Sequence, residues 1–178
     1  MVDTVKYTPE TGEMRWLERP RDHFSTQSGW RKFNARFAGK PVGSLNKRKS
    51  GYGNLEFSLE MNGVRSRHNV ARVAWELVNG PIPEGLFVDH MDTNPINNKL
   101  SNLRLATKRQ NAQNTGKRKD NTSGFKGVQL TKQGRYRSKI NINGRQQYLG
   151  TFDRPEDAHS AYEVAAMKHF GDYANSAR

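Results

Sequence analysis

The sequence predicts an α+β protein with a β-rich N-terminal lead-in, a strand–loop–strand–helix module, and a small three-stranded antiparallel sheet with one packed helix. Short apolar runs that end at turn residues dominate the first third of the chain, and an alternating pattern before an alanine-rich helical stripe fills the last third. Between them a helical period gives way to two short strands. We place the lead-in at 1–60, the module at 61–116, a basic linker at 117–123 and a second domain at 124–178.

The lead-in begins with a predicted hairpin. Residues 5–7 and 14–17 are expected to form strands, because the turn 9–12 between them carries proline early and glycine late. Basic residues at 31–36 and 47–49 are predicted to lie on loops that face solvent or contact a DNA backbone. Three aromatic side chains are expected in the core, because thin domains need their buried area: Trp16, Trp30 and Phe33.

A second hairpin and a helix precede the centre of the chain. An alternating apolar pattern leads to Asn62 and Gly63, a strong signal for a two-residue turn, and a strand returns from Val64. The pattern then becomes helical from Val70 until Gly80 ends it, which predicts a helix packed under the following module. The alternating residues are Leu55, Phe57 and Leu59, and the helical ones are Val70, Val73, Ala74 and Leu77.

The centre of the chain is a predicted strand at 86–88 that carries Asp89 and His90 out of the core. A second strand follows, where Leu103 and Leu105 alternate. The long segment between the two strands is rich in asparagine. The order is therefore strand, long loop, strand, and then a helix.

The helix after the second strand can bring a side-chain amide close to the end of the first strand. Thr107 fits the start of a capping box, which places Asn111 on the first turns of a short helix. The carboxylate of Asp89 and the amide oxygen of Asn111 would then offer the sparse oxygen ligands that Mg²⁺ prefers. His90 would take a proton from water, because imidazole titrates near neutral pH. These groups suffice for metal-assisted phosphodiester hydrolysis.

The spacing of these residues resembles that of the HNH homing endonucleases, which carry a ββα-metal site. Asn102 and Asn111 follow Asp89 at intervals of 13 and 22 residues, as in phage-type members. The flanking phrases GPIPEG before the Asp-His pair and NLRLAT from Asn102 also look like that family.

The resemblance implies a role for each motif residue. It makes His90 the general base, Asp89 and Asn111 the ligands of a divalent cation, Mg²⁺ or alternatively Mn²⁺, and Asn102 an amide that ties the loop between the strands. Related proteins carry a His-Arg pair where this chain has Ala71 and Arg72, so any role of that histidine is lost or shifted to His68.

The asparagine-rich loop also has a plainer interpretation. Asn and Asp side chains bond local backbone and tolerate unusual dihedral angles, as any polar turn requires. Asn97, Asn98 and Asn114 are interpreted as turn and cap residues of this kind, and His68 as a poor metal ligand.

Composition limits the classes of function. A net charge of +13 and an isoelectric point near 10.2 predict attraction to a polyanion, most simply nucleic acid. Basic residues without any acidic one crowd the segment 97–119, beside the predicted site; they are Lys99, Arg104, Lys108, Arg109, Lys117, Arg118 and Lys119. The chain has no cysteine, which excludes disulfides, thiolate zinc sites and a cysteine nucleophile.

Nothing in the sequence predicts a membrane segment or a signal peptide. No apolar run reaches about 18 residues, and the first residues lack the apolar core of a secretion signal. We therefore expect an intracellular protein that acts in the cytoplasm of a host cell, and the resemblance implies that a phage or another mobile element encodes it.

The C-terminal part has the pattern of a sheet with one packed helix. Along the second strand Ser138 and Ile140 share one face while Arg137 and Lys139 share the other. The segment 153–156 is expected to cap the helix, with proline at an early position. The predicted strands are 127–129, 136–142 and 145–149, the last two joined at Asn143 and Gly144. The expected helix stripe is Ala158, Ala161, Tyr162 and Ala165, and His159 and His169 are expected on the helix surface.

This stretch resembles the Apetala-type, ethylene-response-factor-like DNA-binding domain over most of residues 124–178. The matching phrases are GFKGV from Gly124, YLGTF from Tyr148 and EDA from Glu156. Such domains lay an open sheet face in the major groove, where side chains reach base edges. The positions that would contact DNA are Lys126, Gln129, Thr131, Arg137, Lys139, Asn141, Gln146 and Tyr148, with Lys108, Arg109, Lys117, Arg118 and Lys119 outside that domain. Several arginines and tryptophans of the plant family are absent, so its target sequence is not inherited.

The combined prediction is a site-directed endonuclease that nicks double-stranded DNA as a monomer or weak dimer, with a metal as its single cofactor. Two alternatives stay open. One is a DNA-binding regulator that uses the same scaffold without cutting. The other is an RNA-binding protein, which the basic charge permits although no known RNA motif is evident.

Overall fold

The computed structural model describes residues 3–47, 53–61, 63–118 and 120–175. The chain divides into two compact units, Met1–Ala106 and Thr107–Arg178. Short antiparallel sheets and a few helices make up both, so the predicted α+β class is confirmed. The division falls before the third helix, whereas the sequence places the linker at 117–123.

The described residues of the first unit form three small sheets and two α-helices. The first strand pairs with the second, the third to fifth strands form one sheet, and the sixth and seventh form another. The bounds are β1 (Val5–Thr8), β2 (Glu13–Trp16), α1 (Gln27–Phe37), β3 (Ser44–Lys47), β4 (Gly53–Met61), β5 (Val64–Asn69), α2 (Val70–Asn79), β6 (Leu86–His90) and β7 (Leu103–Thr107). The strand pairs of both predicted hairpins, the predicted helix and the two predicted strands of the centre are confirmed. Asn62, in the predicted turn of the second hairpin, lies outside the described residues.

An aromatic cluster holds the first unit together. The ring of Trp16 meets Phe33 and Phe57 edge to face at centroid distances of 5.3 and 5.4 Å, an arrangement that aromatic pairs prefer. Arg19 is buried beside them and lies 4.8 Å from the Phe33 ring centroid. Its guanidinium donates to the Glu60 carbonyl at 2.6 Å, so a buried charge is paired with backbone oxygen and aromatic faces.

The basic residues at 31–36 lie on helix α1, so their prediction as a loop is wrong. Thr26 caps the helix by accepting a hydrogen bond from the Gly29 amide at 3.0 Å. Phe33 and Phe37 pack against the core from one side of the helix. Gly29 and Asn34 interrupt the apolar period, which hid this helix from a pattern search. Lys47 ends β3, and residues 48 and 49 lie outside the described residues.

The second unit is a three-stranded antiparallel sheet with one long helix on it. Its elements are α3 (Lys108–Gln113), β8 (Val128–Leu130), β9 (Tyr136–Ile142), β10 (Arg145–Phe152) and α4 (Pro155–Phe170), with strand order β10-β9-β8. Ile140 packs with Tyr162 and Ala166 in its core. Asn143 and Gly144 both have positive φ, as the predicted two-residue turn requires.

One local expectation for α4 is wrong, the placement of His159 on the helix surface. His159 is buried, with Nδ1 3.1 Å from the Lys126 carbonyl oxygen and its ring stacked on Tyr162. The sheet-facing stripe is wider than the alanine pattern suggested, because histidine can lie flat between rings and still pair one nitrogen. The helix does begin within the predicted segment 153–156: Arg154 is the N-cap, without a side-chain capping bond, and Pro155 is the first helical residue.

None of the helices in the described part of the chain is both long enough and apolar enough to cross a bilayer.

Gly12 provides a test of how closely the first hairpin approaches the rest of the unit. Its φ is +75°, and a Cβ there would lie 2.4 Å from the Lys99 nitrogen. Gly85 has φ +79° but open space around it, so it isolates the backbone contribution. We expect Gly85→Ala to cost about 1 kcal/mol of unfolding free energy and Gly12→Ala about 3 kcal/mol, because only the latter adds a clash. Denaturant titrations measure both, and equal losses would contradict the close approach.

Lys126 predicts a pH dependence for the second unit. Burial lowers the pKa of its amine from 10.5 to about 8. Between those values the folded chain binds fewer protons than the unfolded chain, so the contribution of Lys126 to stability rises with pH. We expect the stability of wild type relative to Lys126→Met to increase from pH 8 towards pH 10 in urea titrations. The exposed Lys132→Met is the control, and a difference independent of pH would refute the expectation.

Candidate active site

Strand β6 brings Asp89 into contact with Arg104 of the neighbouring strand β7. The Arg104 Nε donates to Asp89 Oδ2 at 2.9 Å, and Nη2 lies 2.8 Å from the same oxygen. The Asp89 side chain is 5% exposed and the Arg104 side chain 14%. A buried carboxylate needs such a partner, because an uncompensated charge is costly away from water. The pair fixes where the predicted metal ligand lies on the sheet.

His90 is the last residue of β6, and its ring contacts the loop that follows. Its Nε2 lies 3.0 Å from the side-chain oxygen of Asn98. His90 is half-buried and Asn98 is 2% exposed. The imidazole is therefore held at the boundary between the core and solvent, and the predicted general base is not sealed in an apolar interior.

The Asn102 amide closes the loop between β6 and β7. Its oxygen accepts from the Asp92 backbone at 3.1 Å, and its nitrogen donates to the Asp92 carboxylate at 2.9 Å and the Asn97 carbonyl at 2.8 Å. Its backbone carbonyl accepts from Met91 at 2.9 Å. These bonds use both ends of a buried amide, as satisfied buried polar groups require. They match the loop-tying role that the resemblance implies for Asn102.

Asp92 is the hydrogen-bond acceptor at the start of this loop. Burial alone would raise the pKa of its carboxyl group, but hydrogen bonds from the Asn97 side chain, the Asn94 backbone and the Asn102 side chain outweigh burial and lower it. The carboxylate therefore stays ionised and keeps accepting these bonds over a wide pH range.

The first hairpin supports the loop from another side. The Tyr7 hydroxyl donates to the Asn98 carbonyl at 2.7 Å, and the Leu100 amide donates to the Pro9 carbonyl at 3.0 Å. Burial raises the pKa of Tyr7 to about 12, with the Glu10 charge adding to the shift, so the phenol remains a donor. Residues that are distant in sequence thus position the segment next to His90.

Asn111 lies on α3, which begins with the predicted capping box. The Thr107 hydroxyl accepts from the Gln110 amide, and the Gln110 side chain accepts from the Thr107 amide. Asp89 belongs to the first unit and Asn111 to the second. The approach of their oxygens to one cation therefore stays a prediction.

The donor set suits a hard divalent cation. One carboxylate and one amide oxygen are the ligand types that Mg²⁺ accepts while it keeps several waters. Within the described residues no group of three or more His, Cys, Asp or Glu side chains could hold a metal, so a dense carboxylate or imidazole site is not an alternative there.

The predicted DNA-contacting residues of the sheet share one face. Ser138 and Ile140 are buried on the helix side of β9, so the side chains that alternate with them point the other way. In the strand pairing, each of these residues lies opposite another predicted DNA-contacting residue: Arg137 opposite Gln129, Lys139 opposite Tyr148, and Asn141 opposite Gln146. Tyr148 is 60% exposed, and Thr131 lies just beyond the end of β8.

The remaining predicted contacts differ in their surroundings. Lys126 does not share the exposed face, because its amine donates to the carbonyls of Gln113, Thr115 and Asn175 at 2.8, 2.6 and 3.3 Å. These bonds give it a structural role. Lys108 and Arg109 are exposed on α3, Lys117 donates to the Gly124 carbonyl, Arg118 pairs with Asp120, and Lys119 lies outside the described residues.

Sequence reasoning missed Arg104 and Asn98 as partners of the site. Arg104 alternates with Leu103 and Leu105, which signals a side chain on the opposite face of β7, but not that Asp89 lies across the sheet. The sequence predicts Asn98 only as a turn residue, because loops have no period that reveals which amide faces the interior. Asn114 does act as the C-cap of α3, as predicted. His68 bonds Ser66 at 2.7 Å on β5.

Known proteins resemble this chain over its central part. A family model described as HNH endonuclease matches residues 68–113. Protein 3.8 of Escherichia phage T7 is 39% identical over 101 residues, which cover 56% of this chain and 83% of that protein. The uncharacterized HNH endonuclease L560 of Acanthamoeba polyphaga mimivirus is 36% identical over 98 residues, which cover 55% of this chain and 50% of that protein.

One solved structure also matches. It shows the HNH homing endonuclease I-HmuI and concerns DNA binding and cleavage by that protein. The two sequences are 26% identical, the TM-score is 0.40, and the match covers 62% of this chain and 51% of that chain. The matched family segment contains β6, the loop, β7 and α3. Together with the phage relative, which is matched over most of its length, it shows that this chain belongs to the HNH endonuclease family.

Proposed function

We propose that the protein is a site-directed DNA endonuclease that hydrolyses one phosphodiester bond and so nicks the duplex. The observation that carries the proposal is the strand pair β6–β7 with its connecting loop, in which Asp89, His90 and Asn102 are each held by hydrogen bonds to neighbouring side chains. Membership of the HNH endonuclease family supports the same chemistry. We infer that a virus or another mobile element encodes the protein and that it acts inside the host cell, which the phage and mimivirus relatives support.

The proposed reaction uses the chain's own groups for proton transfer and placement. The imidazole of His90 takes a proton from water, whose oxygen attacks phosphorus as the bond to the 3′ oxygen breaks. The 3′ oxygen leaves and is protonated from solvent, so the products carry a 5′ phosphate and a 3′ hydroxyl. A divalent cation held by Asp89 and Asn111, Mg²⁺ or Mn²⁺, would supply electrostatic stabilisation of the charge that develops on the phosphate.

The second unit is proposed to hold the DNA. Its described residues 124–175 contain a three-stranded sheet and one long helix, which supports the Apetala-like interpretation. The exposed face carries Arg137 and Lys139 among polar side chains that can reach base edges or phosphates. One site per chain predicts a monomer or weak dimer that cuts one strand at a time. The main rival is a regulator that binds DNA through this face without cutting.

A nicking assay tests the proposal. Supercoiled plasmid carrying candidate target sites is incubated with protein and Mg²⁺, with Mn²⁺, or with EDTA, and open-circular product is quantified. We expect metal-dependent nicking that falls by about a hundredfold or more in His90→Ala, the loss of a general base. His169→Ala is the control, because that histidine is exposed on α4.

Other results would support the rivals. Tight binding of a verified target in EDTA, with no nicking in either metal, would support the regulator. Preference for structured RNA over duplex DNA in the same binding assay would support an RNA-binding protein.

The Asp89–Arg104 pair gives a prediction that does not depend on cleavage. Arg104→Met removes the guanidinium from a carboxylate that is 5% exposed, and we expect a loss of about 3 kcal/mol of unfolding free energy. Arg72→Met is the matched control, because Arg72 pairs with Glu76 on the surface of α2 and such pairs contribute about 0.5 kcal/mol. Adding Asp89→Asn to Arg104→Met should recover part of the loss in a double-mutant cycle. Equal effects of the two single variants would argue against a positioned pair.

A further inference from the structure

The contact between His90 and Asn98 constrains which ring nitrogen carries a proton. Nε2 lies 3.0 Å from the Asn98 side-chain oxygen. A carbonyl oxygen can only accept a hydrogen bond, so the imidazole nitrogen must donate. In the neutral ring this leaves the lone pair on Nδ1.

The orientation of the Asn98 amide follows from its other partner. Its nitrogen faces the Ile96 carbonyl at 3.5 Å, and its backbone amide donates to the same carbonyl at 3.2 Å. A flipped amide would place its oxygen against that carbonyl, two acceptors with no proton between them. The network therefore favours the assignment with the oxygen towards His90.

Asn98 is held on more than one side. The Tyr7 hydroxyl bonds its main-chain carbonyl, and Gly12 lies so close that a Cβ would be 2.5 Å from the Asn98 carbonyl carbon. Asn98 also follows Asn97, whose carbonyl is bonded by Asn102. With 2% exposure, the side chain has no room to turn away from the imidazole.

We propose that Asn98 is a positioning residue for His90, holding the neutral imidazole as its Nε2–H tautomer, the form in which Nδ1 carries the lone pair that a general base uses. This inference rests on the proposed function, because the tautomer matters only where His90 takes a proton. The two asparagines then have different roles: Asn102 fixes the conformation of the loop, and Asn98 fixes the tautomer of the His90 ring. Neither needs to touch substrate.

The test reads the tautomer directly. Metal-free protein labelled with ¹⁵N in its histidine rings is studied by NMR at a pH where imidazole is neutral, and His90→Ala identifies the His90 signals. We expect the proton on Nε2. It should exchange with solvent about tenfold more slowly than the ring proton of exposed His169, because one net hydrogen bond protects it by about that factor. Asn98→Asp keeps an acceptor and should keep the protection. Asn98→Leu has similar volume without an acceptor and should bring exchange to the His169 level.

Two outcomes would overturn the inference: a proton on Nδ1 in the wild type, or unchanged protection in a folded Asn98→Leu variant. If Asn98→Leu does not fold, the wild-type tautomer still decides. In cleavage assays we expect kcat to fall in Asn98→Leu and to recover in Asn98→Asp, with KM unchanged, because Asn98 acts through His90 alone. The spectra do not depend on activity, so a protein that cuts no DNA would refute the proposed function without altering the tautomer result.

Discussion

The hydrogen bonds of one buried amide set the geometry of the loop that contacts His90. Asn102 bonds Asp92 through backbone and side chain and also bonds the Asn97 carbonyl, so the long connection between β6 and β7 has a fixed course. Asn98 comes directly after Asn97, so the fixed loop conformation also places the Asn98 side-chain amide in contact with the His90 ring. The precision of the site thus comes from polar bonds within a loop, where apolar packing could not supply it.

Electrostatics divides the molecule into two kinds of surface. Charge inside the first unit is paired: Asp89 with Arg104 across two strands, and Arg19 with a carbonyl and aromatic rings. On the sheet of the second unit Arg137 is exposed and Lys139 is half-buried, and both lie among polar neighbours. Buried pairs fix position, whereas exposed cations give attraction to a polyanion that weakens with salt.

Periodic patterns and turn chemistry were enough to predict most of the fold. The strand before Asp89, the capping box at Thr107 and the turn at Asn143 all follow local rules. Helix α1 could not be predicted from the pattern, because its apolar side consists of a few aromatic residues and Gly29 interrupts their helical period. Arg104 and Asn98 were missed as partners because their roles depend on which residues meet in space, and the loop has no period that encodes such meetings. The meeting of Asp89 with Asn111 is still a prediction for the same reason.

The contact between the first hairpin and the loop has a consequence for anyone who wishes to transplant this motif. The segment 68–113 that matches the family begins inside β5, so cutting there would strip β5 from β4 and discard Phe57. It would also discard Tyr7, which holds the loop from outside the segment. The segment that matches the family and an independently folding unit are therefore different lengths of chain, and a transplanted version would have to start ahead of the first strand.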